Sequence, residues 1–352
     1  MSNLLELRSP ISKTQKWVLG SAGVGIFLAI WLILTAGESP IVEPGILPHP
    51  LRVLTAYADL YHDNRLVPNT FRSLGLNLAG YITAILISVP VGFVIGLFGL
   101  FRGAFQSHVD AIRFIPLTAV TGLFLVWFGI GTFMKVSFLA FGIIIYLLPV
   151  IVVRIDEVED VYLKTVYTLK ATNWQTIKTV YFPSVMSRIS DDIRVLTAIS
   201  WTYIIVAEGI GDQGGLGSLI FRTGQRMGRA DKTFAILILI IIIGIFQDKV
   251  FAYLDRKFFP HKYQTKASYK ETSQLKQVTV WDSVFDYVID VLAYITIAIY
   301  LISALNELFG FIENFTPISY LFGDTSWVIH FIFIIIIGFR SKSLIQKYHV
   351  KP

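Results

Sequence analysis

Residues 74–100 read LGLNLAGYITAILISVPVGFVIGLFGL, with no charged side chain anywhere in the stretch. At a rise of about 1.5 Å per residue, such a run exceeds the roughly 30 Å of hydrocarbon in a bilayer. Pro90, Gly92 and Gly96 fall inside it. A spanning helix tolerates such residues when its neighbours re-satisfy the backbone. Working outward, comparable runs occupy residues 17–37, 114–131, 133–153, 195–211 and 233–253, which predicts six spans in the first 260 residues. Only a tight turn at Gly129, Ile130 and Gly131 separates the third from the fourth. Two further spans are expected at 284–305 and 319–340. In the last, the apolar part at 327–339 is short and Gly323 and Asp324 interrupt its start, so a re-entrant or interfacial segment fits as well.

Composition agrees. The chain has 352 residues, 54% hydrophobic and only 15% charged, with a mean hydropathy of +0.64. A soluble domain carries about 25% charged residues. The net charge of +6 could suit nucleic acid or an anionic lipid surface. The basic residues lie between apolar runs and form no single patch, which favours the membrane and gives no footprint for nucleic acid. With no cysteine, disulfides, thiolate metal sites and cysteine nucleophiles are excluded. Lys13 and Lys16 precede the first run, but that run is longer than a signal-peptide core and ends in no convincing cleavage site, so it is expected to stay as a span.

Basic residues also set an orientation. With the N-terminus inside, the inner pieces are the N-terminal tail, 101–113, 154–194, 249–276 and 340–352, and they hold 22 of the 30 lysines and arginines. Eight spans then put both termini in the cytoplasm.

The inner loop at 154–194 is too polar to span and too patterned to be slack. Val161, Leu163, Val166 and Tyr167 fit one short helix, and Trp174, Ile177, Val180 and Tyr181 a second, which Pro183 is expected to end. The apolar faces of these helices need cover. A groove on a soluble partner would supply it, and so would the protein's own inner ends.

This loop resembles the coupling loop of binding-protein-dependent ABC permeases, whose pattern is roughly Glu-Ala-Ala, three residues, Gly-Ala, then a closing proline. The matching positions here are Lys164, Thr165 and Val166, then Lys170 and Ala171, then Trp174, Gln175, Ile177 and Pro183. Lys164 stands where the family has glutamate and Lys170 where it has glycine. Glycine suits positive φ at a turn, so Lys170 implies a different turn or a partner adapted to it. The resemblance extends over about 17–262 and is nearest to the nitrate/sulfonate/taurine/bicarbonate subfamily. Its further carriers include Leu47-Pro48-His49-Pro50, Ser73-Leu74, Ser88-Val89-Pro90-Val91-Gly92, Ile115-Pro116-Leu117-Thr118-Ala119, Trp127-Phe128-Gly129-Ile130-Gly131, Ala207-Glu208 and Gly214-Gly215-Leu216-Gly217.

The resemblance implies an all-α polytopic bundle like the permeases of type I ABC importers for the six core spans, to which the apolar runs add two C-terminal ones. Joined to the apolar runs, it divides the chain into a cytoplasmic tail at 1–16, a permease domain at 17–262 and, outside the resemblance, a polar linker at 263–281 and a C-terminal pair of spans at 282–352. It implies transport of a small, anionic solute across the bacterial inner membrane by alternating access. ATP would be bound by separate ABC ATPase subunits docked on 164–183. An external or lipid-anchored binding protein would deliver solute to a homodimer of permeases embedded in lipid, or to one copy paired with a homologue. No phosphate-loop motif, H-E-x-x-H or G-x-S-x-G occurs, so no ATPase, metal or hydrolase chemistry of the chain's own is expected.

Polar residues inside spans are costly and favour cavities or interhelical hydrogen bonds. Thr118, Thr121, Thr197, Ser200 and Thr202 are candidates for a pathway, and Glu208 for a gate beside the glycine-rich 211–230 segment. For Glu208 the competing reading is a carboxylate reaching interfacial water. For the hydroxyls it is helix-to-helix bonding. Asp191, Asp192 and Arg194 are expected to cap the start of the fifth span. The rival functions are an ATP-independent secondary transporter, which would show coupling carboxylates deep in several spans, and a non-transporting scaffold subunit.

Overall fold

The computed structural model describes residues 11–211, 213–264, 276–277, 280–313 and 315–349. Its helices are α1 (Lys13–Thr35), α2 (Pro50–His62), α3 (Leu66–Leu97), α4 (Gly99–Ile112), α5 (Leu117–Phe128), α6 (Thr132–Asp156), α7 (Asp160–Thr168), α8 (Asn173–Thr176), α9 (Phe182–Glu208), α10 (Leu216–Leu219), α11 (Ala230–Phe258), α12 (Val280–Phe309), α13 (Pro317–Phe322) and α14 (Ser326–His349). Two π-helical segments, Ile177–Tyr181 and Ile220–Arg226, lead into α9 and follow α10. Strands are limited to a two-residue parallel pair, Tyr263–Gln264 with Lys276–Gln277, among the described residues. The first ten residues of the expected tail, most of the expected 263–281 linker and the last three residues lie outside the described residues.

Among the described residues, six stretches are long and apolar enough to cross a membrane: Thr14–Thr35, Leu66–Leu97, Thr132–Asp156, Ala230–Phe258, Trp281–Phe309 and Pro317–Gly338. They match six of the eight expected spans, including the contested last one. The other two differ. The third expected span, 114–131, holds only the 12-residue α5, about 18 Å long. α5 pairs with α4 across a 107° bend, where Pro116 cannot donate a backbone hydrogen bond. Arg102 of α4 pairs with Asp156 at one end of α6, while Phe128 of α5 packs on Phe133 at the other. The bent pair therefore runs the length of α6. The fifth expected span, 195–211, is the later part of α9, which begins at Phe182 and ends at Glu208.

By contacts the chain forms two units. The first comprises Met1–Arg65 with Leu219–Leu239. In it, Ser12 and Gln15 close a capping box at the start of α1, and Pro50 opens α2 at a position where its missing N–H costs nothing. The Trp31 indole donates to the Pro48 carbonyl (3.0 Å) and packs on Phe234, and the Tyr57 hydroxyl donates to the Ala235 carbonyl (2.7 Å).

The second unit comprises Leu66–Ser218 with Ile240–Pro352. Its centre is the parallel pair α3 and α6. Gly80 faces Leu139, Gly92 faces Ile151 and Gly96 faces Ile155, and a Cβ at any of the three would fall 2.6 Å from its neighbour. In lipid no hydrophobic force drives helices together, so small residues that permit close backbone approach set the contact. α9 runs antiparallel to α3, with Tyr81 donating to the Ile193 carbonyl (2.9 Å), Asn77 to Ser200 (2.9 Å) and Ser73 to Glu208 (2.7 Å). α11 is tied to α9 by Trp201 with Gln247, Arg194 with Asp248 and Ser190 with Asp255. α12 follows antiparallel through Arg256 with Asp286 and Tyr253 with Asp290. α14 returns through Tyr300, which stacks on Phe333 at 4.0 Å and bonds His330 at 2.9 Å. α13 and the turn after it then press on α3, with Phe322 against Phe71 and Thr325 over Gly75.

The glycine contacts give a direct test. Gly80→Val should lower the thermal midpoint of detergent-solubilised protein by several degrees, for an overpacking cost of about 1–3 kcal/mol. Gly103→Ala, which meets open space on α4, should leave the midpoint unchanged or slightly raised. Tryptophan fluorescence on heating reads both.

Candidate docking loop and polar latch

The loop begins where Glu157 ends α6. Arg154 bonds both Glu157 (2.8 Å) and Asp192 (2.8 Å), and Arg188 reaches Glu157 at 3.1 Å. Hydrogen bonding from Arg154, joined by Arg188, holds the Glu157 carboxyl below the usual carboxylate range. Asp191, Asp192 and Arg194 therefore do not cap a helix. They lie a third of the way along α9, where Asp192 meets Arg154, Arg194 meets Asp248 and Asp191 meets Lys262 (3.5 Å).

α7 has no buried residue. Val161, Tyr162, Tyr167 and Leu169 are exposed, as are Lys164 and Thr165, while Leu163 and Val166 are half-buried. The end of α7 is a Schellman turn: Ala171 N–H donates to the Val166 carbonyl (3.1 Å) and Lys170 N–H to the Tyr167 carbonyl (3.0 Å). Lys170 takes φ 54° at its left-handed position. A lysine thus occupies the conformation that glycine favours, and no different turn forms. The cost relative to glycine is about 1 kcal/mol. Thr172 then caps α8 reciprocally with Gln175, which is where the Gln175 side chain is engaged. Trp174 is 71% exposed, and Ala171 and Ile177 are half-buried.

Pro183 does not end the second loop helix. α8, the π segment and α9 form one continuous helical run from Asn173 to Glu208. A proline inside an α-helix meets the carbonyl four residues back. Here the wider π turn, with Phe182 N–H donating to the Ile177 carbonyl, precedes Pro183 and takes up the misfit.

Far along the same run, Glu208 is fully buried, so its side chain does not reach interfacial water. Its carboxylate accepts from the Ser73 hydroxyl (2.7 Å) and from Gly217 N–H (2.8 Å). Ser73 Oγ in turn accepts from Leu216 N–H (2.8 Å), and Asn69 Oδ1 accepts from Gly215 N–H (2.7 Å). The charge of Lys135 on α6, itself 2% exposed, also acts on Glu208. The turn can approach this closely only as glycine. Gly214 and Gly215 have φ of 87° and 100°, a Cβ on Gly215 would fall on the Glu208 carboxylate, and one on Gly217 would come 2.5 Å from the Ile205 carbonyl. The arrangement is a latch: a carboxylate and two α3 side chains hold three consecutive backbone amides.

The pathway candidates do not gather into one channel. Thr197, Ser200 and Glu208 share the side of α9 that meets α3, through Tyr81, Asn77 and Ser73. Ser200 accordingly serves helix-to-helix bonding. Thr121 bonds its own helix, at the Thr118 carbonyl (2.9 Å), and Thr118 and Thr202 are exposed. Asn69 and Asn77 were not singled out from the sequence, and Ser73 only as a carrier of the resemblance, although their spacing of four puts three polar residues on one face of an apolar helix.

Two substitutions weigh the latch. Ser73→Ala leaves a buried carboxylate and the Leu216 N–H short of a partner and should cost about 1–3 kcal/mol. Ser88→Ala, at a buried hydroxyl on the same helix with no hydrogen-bond partner among the described residues, should be neutral or stabilising. Thermal midpoints compare them. At the loop, Lys170→Gly should stabilise the turn by about 1 kcal/mol, read as slower amide exchange at Ala171.

Residues 77–260, more than half of the chain, match the family described as the binding-protein-dependent transport system inner membrane component. Similar proteins include a Bacillus subtilis chain that bears the name aliphatic sulfonates transport permease protein SsuC, 26% identical over 71% of this chain and 90% of its own length. The taurine transport system permease protein TauC of Escherichia coli is 24% identical over 74% of this chain and 94% of its own. The nitrate import permease protein NrtB of Synechococcus elongatus is 24% identical over 67% and 87%. With its spanning helices, its exposed inter-helix loop and this match, the chain belongs to the membrane permease components of binding-protein-dependent ABC importers.

Proposed function

We propose that this permease carries a small anionic solute of the sulfonate, taurine, nitrate or bicarbonate class inward, with 160–183 as the seat of a separate ATPase. The single observation that supports the docking role is α7, a helix with no buried residue beside the exposed Leu169 and Trp174. An apolar surface of this kind on a polar loop fits a partner's groove. Lys164, Thr165, Val166, Lys170, Ala171, Trp174 and Gln175 lie in or beside it, and Ile177 and Pro183 lie where the loop passes into α9.

In this reading the N- and C-termini and the loop face the cytoplasm, in keeping with the lysine and arginine distribution. The Gly214–Gly217 latch faces outward, towards the binding protein that delivers solute. Two copies of the permease meet across the pathway. The exposed strip of α9 at Val195, Ala198 and Thr202, with Thr118 and Gly122 on α5, is the surface we assign to that meeting. Lipid covers the remaining exposed apolar faces, of which α1 is the most complete. Nucleotide closes the ATPase pair, and the loops move with it. A carrier coupled to ions alone would keep deep, available carboxylates. Glu208 is instead committed to three partners of its own chain, counting Lys135.

Trp174→Asp in the full chain should reduce co-purification of the ATPase at least thirtyfold, the loss of about 2 kcal/mol typical of an aromatic anchor at an interface, while membrane insertion and thermal midpoint stay as in the wild type. Undiminished co-purification would remove the docking claim.

A further inference from the structure

Most arginines and lysines near the loop end of the second unit have acidic partners: Arg102 with Asp156, Arg154 with Glu157 and Asp192, Arg188 with Glu157, Lys262 with Asp255. The three lysines of the loop are different. Lys164, Lys170 and Lys178 are exposed and form no ion pair among the described residues. Lys164 stands on α7, which has no buried residue, Lys170 at the tip of the turn and Lys178 one turn beyond Trp174. Lys170 keeps its side chain at φ 54°, a conformation that disfavours any side chain there. Nothing within the described chain draws that ammonium into place. The apolar side chains that need cover, Leu169 at 76% exposure and Trp174 at 71%, alternate with these charges along the sequence.

Resting on the docking reading above, we propose that the ATPase groove receiving this loop carries carboxylates facing Lys164 and Lys170, ranged around an apolar floor for Leu169 and Trp174. The alternative source of negative charge, an anionic lipid surface, fits less well. Residues 157–181 hold Glu157, Glu159 and Asp160 against the three lysines, so the segment has no net charge. A membrane's field acts on net charge and gains little from it. Glu157 is held by Arg154 and Arg188, Glu159 and Asp160 sit at the start of α7, where they suit a helix N-terminus, and the lysines follow from the middle of α7 onward. That separation rewards a partner with a matching local pattern. Charge complementarity of this kind selects the right partner and rejects wrong ones. The pair of lysines therefore makes this permease specific for an ATPase with an acidic groove.

The test uses the full-length permease in neutral-lipid nanodiscs and the ATPase subunit that co-purifies with the wild-type chain. Binding is measured from about 50 to 500 mM salt, a range over which surface charge pairs are increasingly screened. The double variant Lys164→Glu with Lys170→Glu should bind at least tenfold more weakly at low salt, with the gap closing at high salt. Lys170→Arg should bind as the wild type. Lys170→Gly should bind severalfold more weakly although its turn is more relaxed, which separates charge from fold. If the double variant binds within twofold of wild type at every salt concentration while Trp174→Asp still fails to bind, the loop docks but the acidic groove is overturned. If Trp174→Asp also binds normally, the docking reading itself falls. If phosphatidylglycerol nanodiscs without ATPase protect Lys164 and Lys170 from an amine reagent as fully as the ATPase does, the negative partner is the membrane and the proposal is overturned.

Discussion

The close approach of α3 to α6, permitted by Gly80, Gly92 and Gly96, is the constraint on which the second unit depends. It fixes α3 as a spine. With one face pressed on α6, the face bearing Asn69, Ser73 and Asn77 is left to α9 and to the glycine turn, and Gly75 to the turn after α13. Each of these contacts is a hydrogen bond or a van der Waals fit. That is what helix association in lipid requires, since apolar surface is as well solvated by acyl chains as by another helix. A side chain added at any of the three glycines would shift α3 as a body and loosen every contact it carries.

From that spine a single helical run connects the two regions of functional interest. Asn173 to Glu208 is continuous through the π segment and Pro183, about 54 Å at helical rise. One end bears Trp174 and adjoins the Lys170 turn. The other bears the carboxylate that holds Gly217. Because the run is unbroken, displacement of the loop by a partner acts on a stiff element and not on a slack tether. The π segment, with its wider turn, is the one place in the run where the regular ladder is interrupted. Arg154, bonded to both Glu157 and Asp192, ties the middle of the run back to α6. The α3–α6 pair thereby supports the run at its middle and at its Glu208 end.

Much of this was legible in the residues, and the failures have physical causes. The spans of α1, α3, α6, α11 and α12 announce themselves by uninterrupted apolar length. α9 hides its true start because Arg188, Asp191, Asp192 and Arg194 make its first half look like loop, whereas in the folded chain their charges are matched across helices. Pro183 misleads for a related reason: a local rule about missing donors cannot foresee a π turn that absorbs the misfit. The helical faces of 161–167 were readable by period, but Lys170 at positive φ was not, since sequence preference argues for glycine there. Glu208 was noticed as a costly charge. Its partner on α3, Ser73, lies 135 positions away, and only tertiary packing pairs them. α2 and α4 were missed because short amphipathic helices resemble polar connections.

The central claim is that the loop at 160–181 faces the cytosol and is covered by an ATPase. The chain has no cysteine, so Thr168→Cys, at an exposed position at the end of α7, gives a single labelling site in the native background. A membrane-impermeant maleimide should label it in inside-out vesicles stripped of ATPase, leave it unlabelled in right-side-out vesicles, and be blocked when the ATPase is restored. Labelling from the outer side, or labelling from the inner side that the restored ATPase leaves unchanged, would contradict the account.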